Sequence, residues 1–462
     1  MARDDHATAT VTVERRAVTP ADHARRASNV AAVVAVNAIL VVALWLHHGG
    51  LDGVGDPGGL FTAVGQITAL VGTYAALVEV LLMSRLTWLE EAIGFDRLAV
   101  WHRWFGFATV TLLGIHAVAT TLGFAGASGR SIVEQTVDFI AHYPDVLAAI
   151  VGFALLVAVG ISSAARARRR LKRETWYALH LYTYLAIVLS FAHQLAVGTD
   201  FVDDPLARAW WVALYVATFG AIAWWRVGRP ILFNLHHRLQ VVEVRTEAPG
   251  IVSIYIGGRD LRAIDTHAGQ FFLWRFLTGT GWAKAHPYSL SAAPNDRFLR
   301  ITVKDLGDDS RRLQSLRPGT RVFAEGPFGR FTAHRRTRRR VALIAGGIGI
   351  TPVRALLEAL PETHGTTTLL YRAASERDLA LRGEIDSLAR DRGVDVRYLV
   401  GTDIGDDRTD QLGVPALRAL VPDIAERDVY LCGPPGMLDA VRRRLRILGV
   451  PRRHVHYERF AY

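Results

Sequence analysis

The chain divides by the spacing of its apolar residues. In the first half, apolar stretches of spanning length lie near 28–46, 62–84, 99–122, 145–165, 177–197 and 209–227. A bilayer core is about 30 Å thick, and a helix crosses it in about 20 residues. The pattern predicts six membrane-spanning helices over 28–228, behind an N-terminal segment at 1–27. After Pro230 the runs shorten to alternating strands such as VVEVRTEAPGIVSIYIGG, which predict an antiparallel β-barrel over 236–333. From 338 to 462, VALIAGGIGITPVRALLEAL reads as strand, glycine turn and helix, and the strand TTTLLYR follows it. This predicts an α/β Rossmann-like nucleotide-binding domain. The expected fold class is a multidomain membrane protein: a six-helix transmembrane bundle, then a β-barrel, then an α/β domain.

Charge orients the spans. The segment before span one, the 2–3 connection and the 4–5 connection together carry fourteen Arg and Lys. The other connections carry two, Arg130 and Arg208, alongside Asp52, Asp56, Glu134, Asp138, Asp145, Asp200, Asp203 and Asp204. Positive loops stay inside, so both termini are expected in the cytoplasm. The run at 166–173 belongs to this bias, and no nucleic-acid partner is expected. The first span has no convincing cleavage site after it and reads as a retained anchor.

Four histidines stand out in the apolar half. His102 and His116 share span three, 14 residues apart; His180 and His193 share span five, 13 apart. Both spacings amount to about 20 Å along a helix. Ionisable residues inside a membrane are expensive and mark function. Spans three and five run the same way, which pairs His102 with His180 near the cytoplasm and His116 with His193 near the outside. Two imidazole pairs, one above the other, suit two haems, each with both axial positions filled. Fourteen residues return to nearly one helix face, whereas thirteen do not, so span five is expected to twist or bulge. His47, His48 and His142 lie at or beyond span ends and are poorer ligand candidates.

Three motifs carry the chemistry of the second half. HPYSLSAAP runs from His286 to Pro294, and ITVKDLGDDSRRLQSL follows it, with EGPFGRF after that. In the second of these, Gly307 allows close backbone approach, Ser310 is expected to cap a helix, and that helix N-terminus suits a pyrophosphate. In the glycine turn, Gly346, Gly347 and Gly349 precede Thr351, expected as a cap, and Pro352 in the first helical turn. The strand after it ends in Arg372, with Arg377 just beyond. Positive charge there favours a 2′-phosphate, hence NADPH; Glu376 and Asp378 keep NADH open. The third motif is YLCGPPGML at 430–438, with the chain's single cysteine, Cys432. One cysteine excludes an intrachain disulfide and any cysteine-built iron–sulfur site.

In this order the motifs resemble the ferredoxin–NADP reductase superfamily, and with the histidine pattern the chain resembles a bacterial member of the NADPH oxidase and ferric reductase superfamily. The resemblance implies that the barrel binds FAD, with Tyr288 packed on it and the Ser289 hydroxyl near flavin N5. Many relatives have Arg where this chain has His286, followed by Pro287; the His-Pro pair resembles the oxidase and ferric reductase branch. It also implies that Lys304 contributes to the cofactor site and that Cys432, Gly433 and Pro434 border the nicotinamide, with Cys432 near the hydride path and no nucleophile. A C-terminal aromatic, Phe460 or Tyr462, would stack on the flavin.

The implied function is electron transfer from NADPH through FAD and two b-type haems to an acceptor outside: oxygen, ferric iron or a redox protein. The bilayer is the one other partner expected, and no obligate protein partner is evident. Animal oxidases of the family place another histidine one turn after the outer ligand; this chain has Thr120, which sets it apart from that arrangement. A six-span channel or transporter regulated by a nucleotide-binding domain is the alternative. It would use the histidines for proton relay or gating and leave HPYS and CGPP without a role.

Overall fold

The computed structural model describes residues 20–164, 168–279, 284–361, 364–401 and 410–459. It separates into two compact units, Arg26–Leu235 and, with the N-terminal segment, His236–Tyr462.

The first unit is helical: α1 (Pro20–His47), α2 (Pro57–Leu82), α3 (Thr87–Ile93), α4 (Phe95–Ser128), α5 (Ile132–His142), α6 (Val146–Ser163), α7 (Arg173–Leu189), α8 (Phe191–Val197), α9 (Thr199–Val202), α10 (Pro205–Ala223) and α11 (Arg229–His237). Six helical stretches, 25–47, 57–82, 97–128, 146–163, 174–197 and 205–237, are long and apolar enough to cross a membrane. Side chains such as Val33, Phe107, Val118 and Val216 on these helices are exposed, as a lipid-facing surface requires. Asp56 and Asp204 open α2 and α10, each accepting two backbone N–H bonds beside a proline in the first turn.

Close packing of α2 on α4 follows from glycine. A Cβ on Gly72 would lie 3.0 Å from Leu112, and one on Gly65 3.0 Å from the Thr120 nitrogen. Without a hydrophobic driving force between helices in lipid, small residues provide the association surface.

Span five is two helices. The chain turns at Ser190 (φ −85°, ψ 0°), which ends α7 and begins α8. Here lies the distortion that the 13-residue spacing required. Gln194 anchors the short helix: its carboxamide oxygen accepts from Trp211 Nε1 at 2.9 Å and Tyr215 Oη at 3.1 Å, both on α10.

The second unit begins with two three-stranded antiparallel sheets. β1 (Gln240–Ala248), β2 (Ile251–Gly257) and β5 (Leu299–Lys304) form one; β4 (His286–Ser289), β3 (Phe271–Phe276) and β6 (Val322–Phe328) form the other. Bridges Gln240–Arg321 and Leu290–Ile301 join them into the expected barrel. Its interior holds Phe272, Trp274, Ile254 and Ile301, all fully buried.

A five-stranded parallel sheet follows in the order β11-β10-β7-β8-β9. Its strands are β7 (Val341–Gly346), β8 (Thr367–Ala373), β9 (Asp395–Val400), β10 (Asp428–Gly433) and β11 (Val455–Arg459). The chain reverses its direction of travel across the sheet between β7 and β10. Such a switch point opens a crevice at the carboxyl ends of the strands, where α/β sheets bind ligands.

Candidate functional site

In the first unit the four histidines lie on α4, α7 and α8 and meet in the expected pairs. The His102 and His180 rings stand 5.8 Å apart at 74°. His116 lies close enough to His193 to act on it electrostatically. Metal–imidazole bonds are about 2.0–2.1 Å long, so two rings sharing one atom hold their centroids about 6 Å apart.

The other ring nitrogen of three histidines is already engaged. His102 Nδ1 lies 3.3 Å from the Glu79 carbonyl, and His116 Nδ1 lies 3.0 Å from the Gly65 carbonyl. His180 Nδ1 lies 3.4 Å from Ser163 Oγ. A carbonyl can only accept, so Nδ1 of His102 and of His116 donates and Nε2 keeps its lone pair. Metal-ligating histidines are oriented this way. The donor set therefore fits bis-imidazole ligation.

Several supporting residues escape a reading by sequence. Trp176 stacks on His180 at 4.9 Å, and the Arg168 guanidinium lies 4.5 Å over Trp176. Trp176 Nε1 also donates to Ser163 Oγ at 3.3 Å. The i, i+4 spacing of Trp176 and His180 was a visible signal; Ser163, on a different helix, had none. Thr120, where relatives hold a histidine, places its hydroxyl 3.2 Å from His116 Nδ1. It serves the ligand rather than standing apart from it.

In the second unit, β4 presents HPYS. Tyr288 stacks over His286 at 6.1 Å and 17°, and its carbonyl accepts from Trp274 Nε1 at 2.9 Å. Burial pushes His286 below the ordinary imidazole range, so the ring is neutral at pH 7. Ser289 is 3% exposed and its Oγ has no hydrogen-bond partner among the described residues. A buried hydroxyl without a partner costs free energy unless a ligand completes it, which fits a flavin seated at this strand.

Two expected caps differ. The helix after Gly307 spans Asp308–Leu313 and starts at Gly307 itself, whose φ of 148° suits glycine alone. Ser310 lies inside the first turn, where Oγ accepts from the Leu306 nitrogen at 2.8 Å and donates to the Gly307 carbonyl at 2.9 Å. The first turn also carries Asp308 and Asp309, which disfavour a pyrophosphate there. Likewise, the helix Ile350–Ala359 starts at Gly349, so Thr351 and Pro352 are its second and third residues, and Thr351 Oγ1 bonds back to Ile348 O at 3.0 Å. No side chain caps this helix. The Ile350 N–H bonds to the Gly347 and Ile348 carbonyls and Pro352 has none, so what this terminus at the end of β7 offers an anion is chiefly its dipole.

The glycine turn and the CGPP loop come together at the switch point. Ala345 and Cys432 are register partners on β7 and β10. A Cβ on Gly433 would stand 3.2 Å from Gly346 Cα, and one on Gly349 would stand 2.6 Å from the Cys432 carbonyl carbon. Gly347 has φ +55°. Glycine is required here by backbone approach and by the Met437 side chain, whose sulfur would lie 2.4 Å from a Cβ on Gly346, with Pro434 beside it. Cys432 is fully buried, and burial raises its thiol well above the ordinary range. The thiol form is thereby favoured over the thiolate.

The basic residues divide. Arg372 pairs with buried Asp410 at 3.4 Å, and Arg444 pairs with the same carboxylate at 2.8 Å. Lys304 is committed to Asp378 at 2.8 Å. Arg377 is exposed and has no ion-pair partner among the described residues. Phe460 and Tyr462 lie outside the described residues.

Barrel and nucleotide lobe are tied by charge. Arg300 of β5 makes a bidentate pair with Glu384, at 2.7 and 2.9 Å. Arg354 Nε lies 2.9 Å from the same carboxylate, and Arg354 also pairs with Glu358, which accepts the Ala293 nitrogen. Arg300 is 4% exposed, so this is a desolvated junction.

Paired intramembrane histidines beside a barrel and an α/β lobe define a class: a multi-pass membrane oxidoreductase with a FAD- and NAD(P)-binding half. Comparison with known proteins agrees. The family described as ferric reductase like transmembrane component matches residues 68–191, and the oxidoreductase NAD-binding domain matches 343–443. A Vibrio cholerae flavohemoprotein is 30% identical over 290 residues, 57% of this chain and 71% of the relative. A ferredoxin–NADP reductase B from Sorangium cellulosum is 32% identical over 239 residues, 48% of this chain and 96% of the relative. Among solved structures, the FAD/NAD-binding domain of nitric oxide dioxygenase from Vibrio cholerae is 29% identical, covering 49% of this chain and 99% of that one, with TM-score 0.41. The chain belongs to the NADPH oxidase and ferric reductase superfamily.

Proposed function

We propose that this protein moves electrons from cytoplasmic NADPH, by way of FAD and two b-type haems, to an acceptor on the outer face of the plasma membrane, either molecular oxygen or ferric iron. The observation that carries the proposal is the His102–His180 pair, with rings 5.8 Å apart on two different spans. His102 and His180 would hold the inner haem, and His116 and His193 the outer one. When bound, the flavin splits an electron pair into single electrons and the haem irons pass them one at a time.

The chain's own residues position and exclude. The uncapped helix after Gly349 holds the dinucleotide pyrophosphate, and Arg377 holds the 2′-phosphate. The CGPP loop borders the nicotinamide. Ser289 supplies a hydroxyl at the flavin, and the neutral His286 packs beside Tyr288. The carbonyls of Glu79 and Gly65 fix the imidazole tautomers. The positive-inside bias supports cytoplasmic termini.

An absorption spectrum of cofactor-replete protein tests the class: Soret and flavin bands together are expected. Their absence from folded protein overturns the proposal and favours a channel or transporter. Steady-state NADPH oxidation with oxygen or a ferric chelate as sole acceptor then decides between the two acceptors, and insensitivity of iron reduction to superoxide dismutase identifies direct transfer to iron.

A further inference from the structure

The face of α2 that meets α4 repeats every seven residues: Gly58, Gly65, Gly72 and then Glu79. The first three positions let the helices touch. The fourth puts an acid into a membrane span, where ionisable groups are costly. An acid near a helix end ordinarily reaches toward water, but the Glu79 side chain is 13% exposed and turns toward α4.

The opposite helix makes room for it. A Cβ on Gly106, one turn after His102, would stand 2.6 Å from Glu79 Oε1. Thr109, 1% exposed, faces the carboxyl group from the next turn. Glu79 Oε1 lies 3.5 Å from His102 Nδ1, and the Glu79 carbonyl lies 3.3 Å from the same nitrogen. One residue thus offers the ring two acceptors.

The outer pair has no counterpart. His116 Nδ1 meets neutral groups, the Gly65 carbonyl at 3.0 Å and Thr120 Oγ1 at 3.2 Å. Arg226 acts on His180 and Asp145 on His193 as charges in the surroundings. Arg226 spends Nε and Nη2 on the Met83 carbonyl, at 3.2 and 3.1 Å. Direct contact in a low-dielectric interior outweighs such distant charges.

We infer that Glu79 is a positioning residue for the inner haem: its carboxyl and carbonyl oxygens anchor the His102 ring through Nδ1 and, as acceptors there, raise the basicity of the imidazole, which lowers the inner midpoint potential. The inference rests on the bis-histidine reading above. An acidic acceptor behind a ligating histidine raises ligand basicity and favours the oxidised metal.

Potentiometric titration of the full-length chain, followed at the haem bands, tests this. In a His116→Ala background only the inner haem remains. There Glu79→Gln, which keeps the shape but replaces the carboxyl group with a weaker acceptor, is expected to shift the midpoint upward. In a His102→Ala background, Glu79→Gln is expected to leave the outer midpoint in place. Gly106→Ala keeps the acid but displaces it from the ring, and its expected shift has the same sign; it decides the matter if Glu79→Gln does not fold. An inner midpoint unmoved by both substitutions, or an outer midpoint that moves equally, overturns the role of Glu79 while leaving the haem reading intact. Wild-type protein without haem bands overturns the haem reading itself.

Discussion

A Cβ on Gly152 of α6 would stand 2.5 Å from Ser190 Oγ and 2.7 Å from the Ala186 carbonyl. Glycine lets α6 lie directly against the break in span five, and that break separates the stretch carrying His180 from the one carrying His193. Gly152→Val is therefore expected to displace α8 and to lose the outer haem while the inner one is kept. Reduced-minus-oxidised spectra read this as lost haem per flavin; equal loss of both haems would show that the break does not serve the outer ligand alone.

His116→Ala is expected to remove the outer haem without slowing flavin reduction by NADPH, because the dehydrogenase half is a separate compact unit. Stopped-flow bleaching of the flavin band measures the first step, and reduction of the external acceptor measures the whole path. Only the second is expected to fall.

Arg377→Ala is expected to raise the KM for NADPH by about tenfold or more, the equivalent of one charge-assisted hydrogen bond, with little change for NADH. Arg372→Ala, by contrast, removes a partner of buried Asp410 and is expected to lower stability. Equal KM changes for both nucleotides in Arg377→Ala would remove the 2′-phosphate from that side chain.

Glu384 joins barrel and lobe. Burial alone would raise its carboxyl, but the Arg300 and Arg354 guanidinia outweigh that and hold it below the ordinary carboxylate range. A depressed acid contributes stability above its unfolded value, about 4.3, and loses it as pH falls through the lower folded value. The thermal midpoint of the dehydrogenase half is expected to be level above that range and to drop below it, and Glu384→Gln is expected to flatten this drop. Glu384→Ala is expected to cost about 2–3 kcal/mol, less than the 3–5 kcal/mol of a fully buried pair, because Glu384 is 31% exposed.

Cys432 is the chain's single thiol. Because it is wholly buried and its thiol is raised, iodoacetamide is expected to label it only after unfolding. Labelling of the native protein at a comparable rate, read by mass spectrometry, would contradict the burial.

The patterning of the chain was enough to determine its six spans, the barrel and the α/β lobe, because apolar period and length are local properties of sequence. It also paired the histidines: charge bias sets span direction, and direction plus spacing leaves one arrangement. The glycine turn and CGPP were legible as motifs for the same reason. Only the tertiary structure decided how 13 residues separate His180 from His193, since the turn at Ser190 depends on Gly152 packing against it from α6 and on Trp211 and Tyr215 of α10 holding Gln194. It moved Ser310 and Thr351 off the caps, because Gly307 and Gly349, three and two residues earlier, accept the turn that starts each helix. It paired Lys304 with Asp378 and Arg372 with Asp410. And it brought Glu79 to His102 across two spans. Ion pairs and helix contacts between residues far apart in the chain leave no periodic trace in sequence, so those assignments waited on the fold.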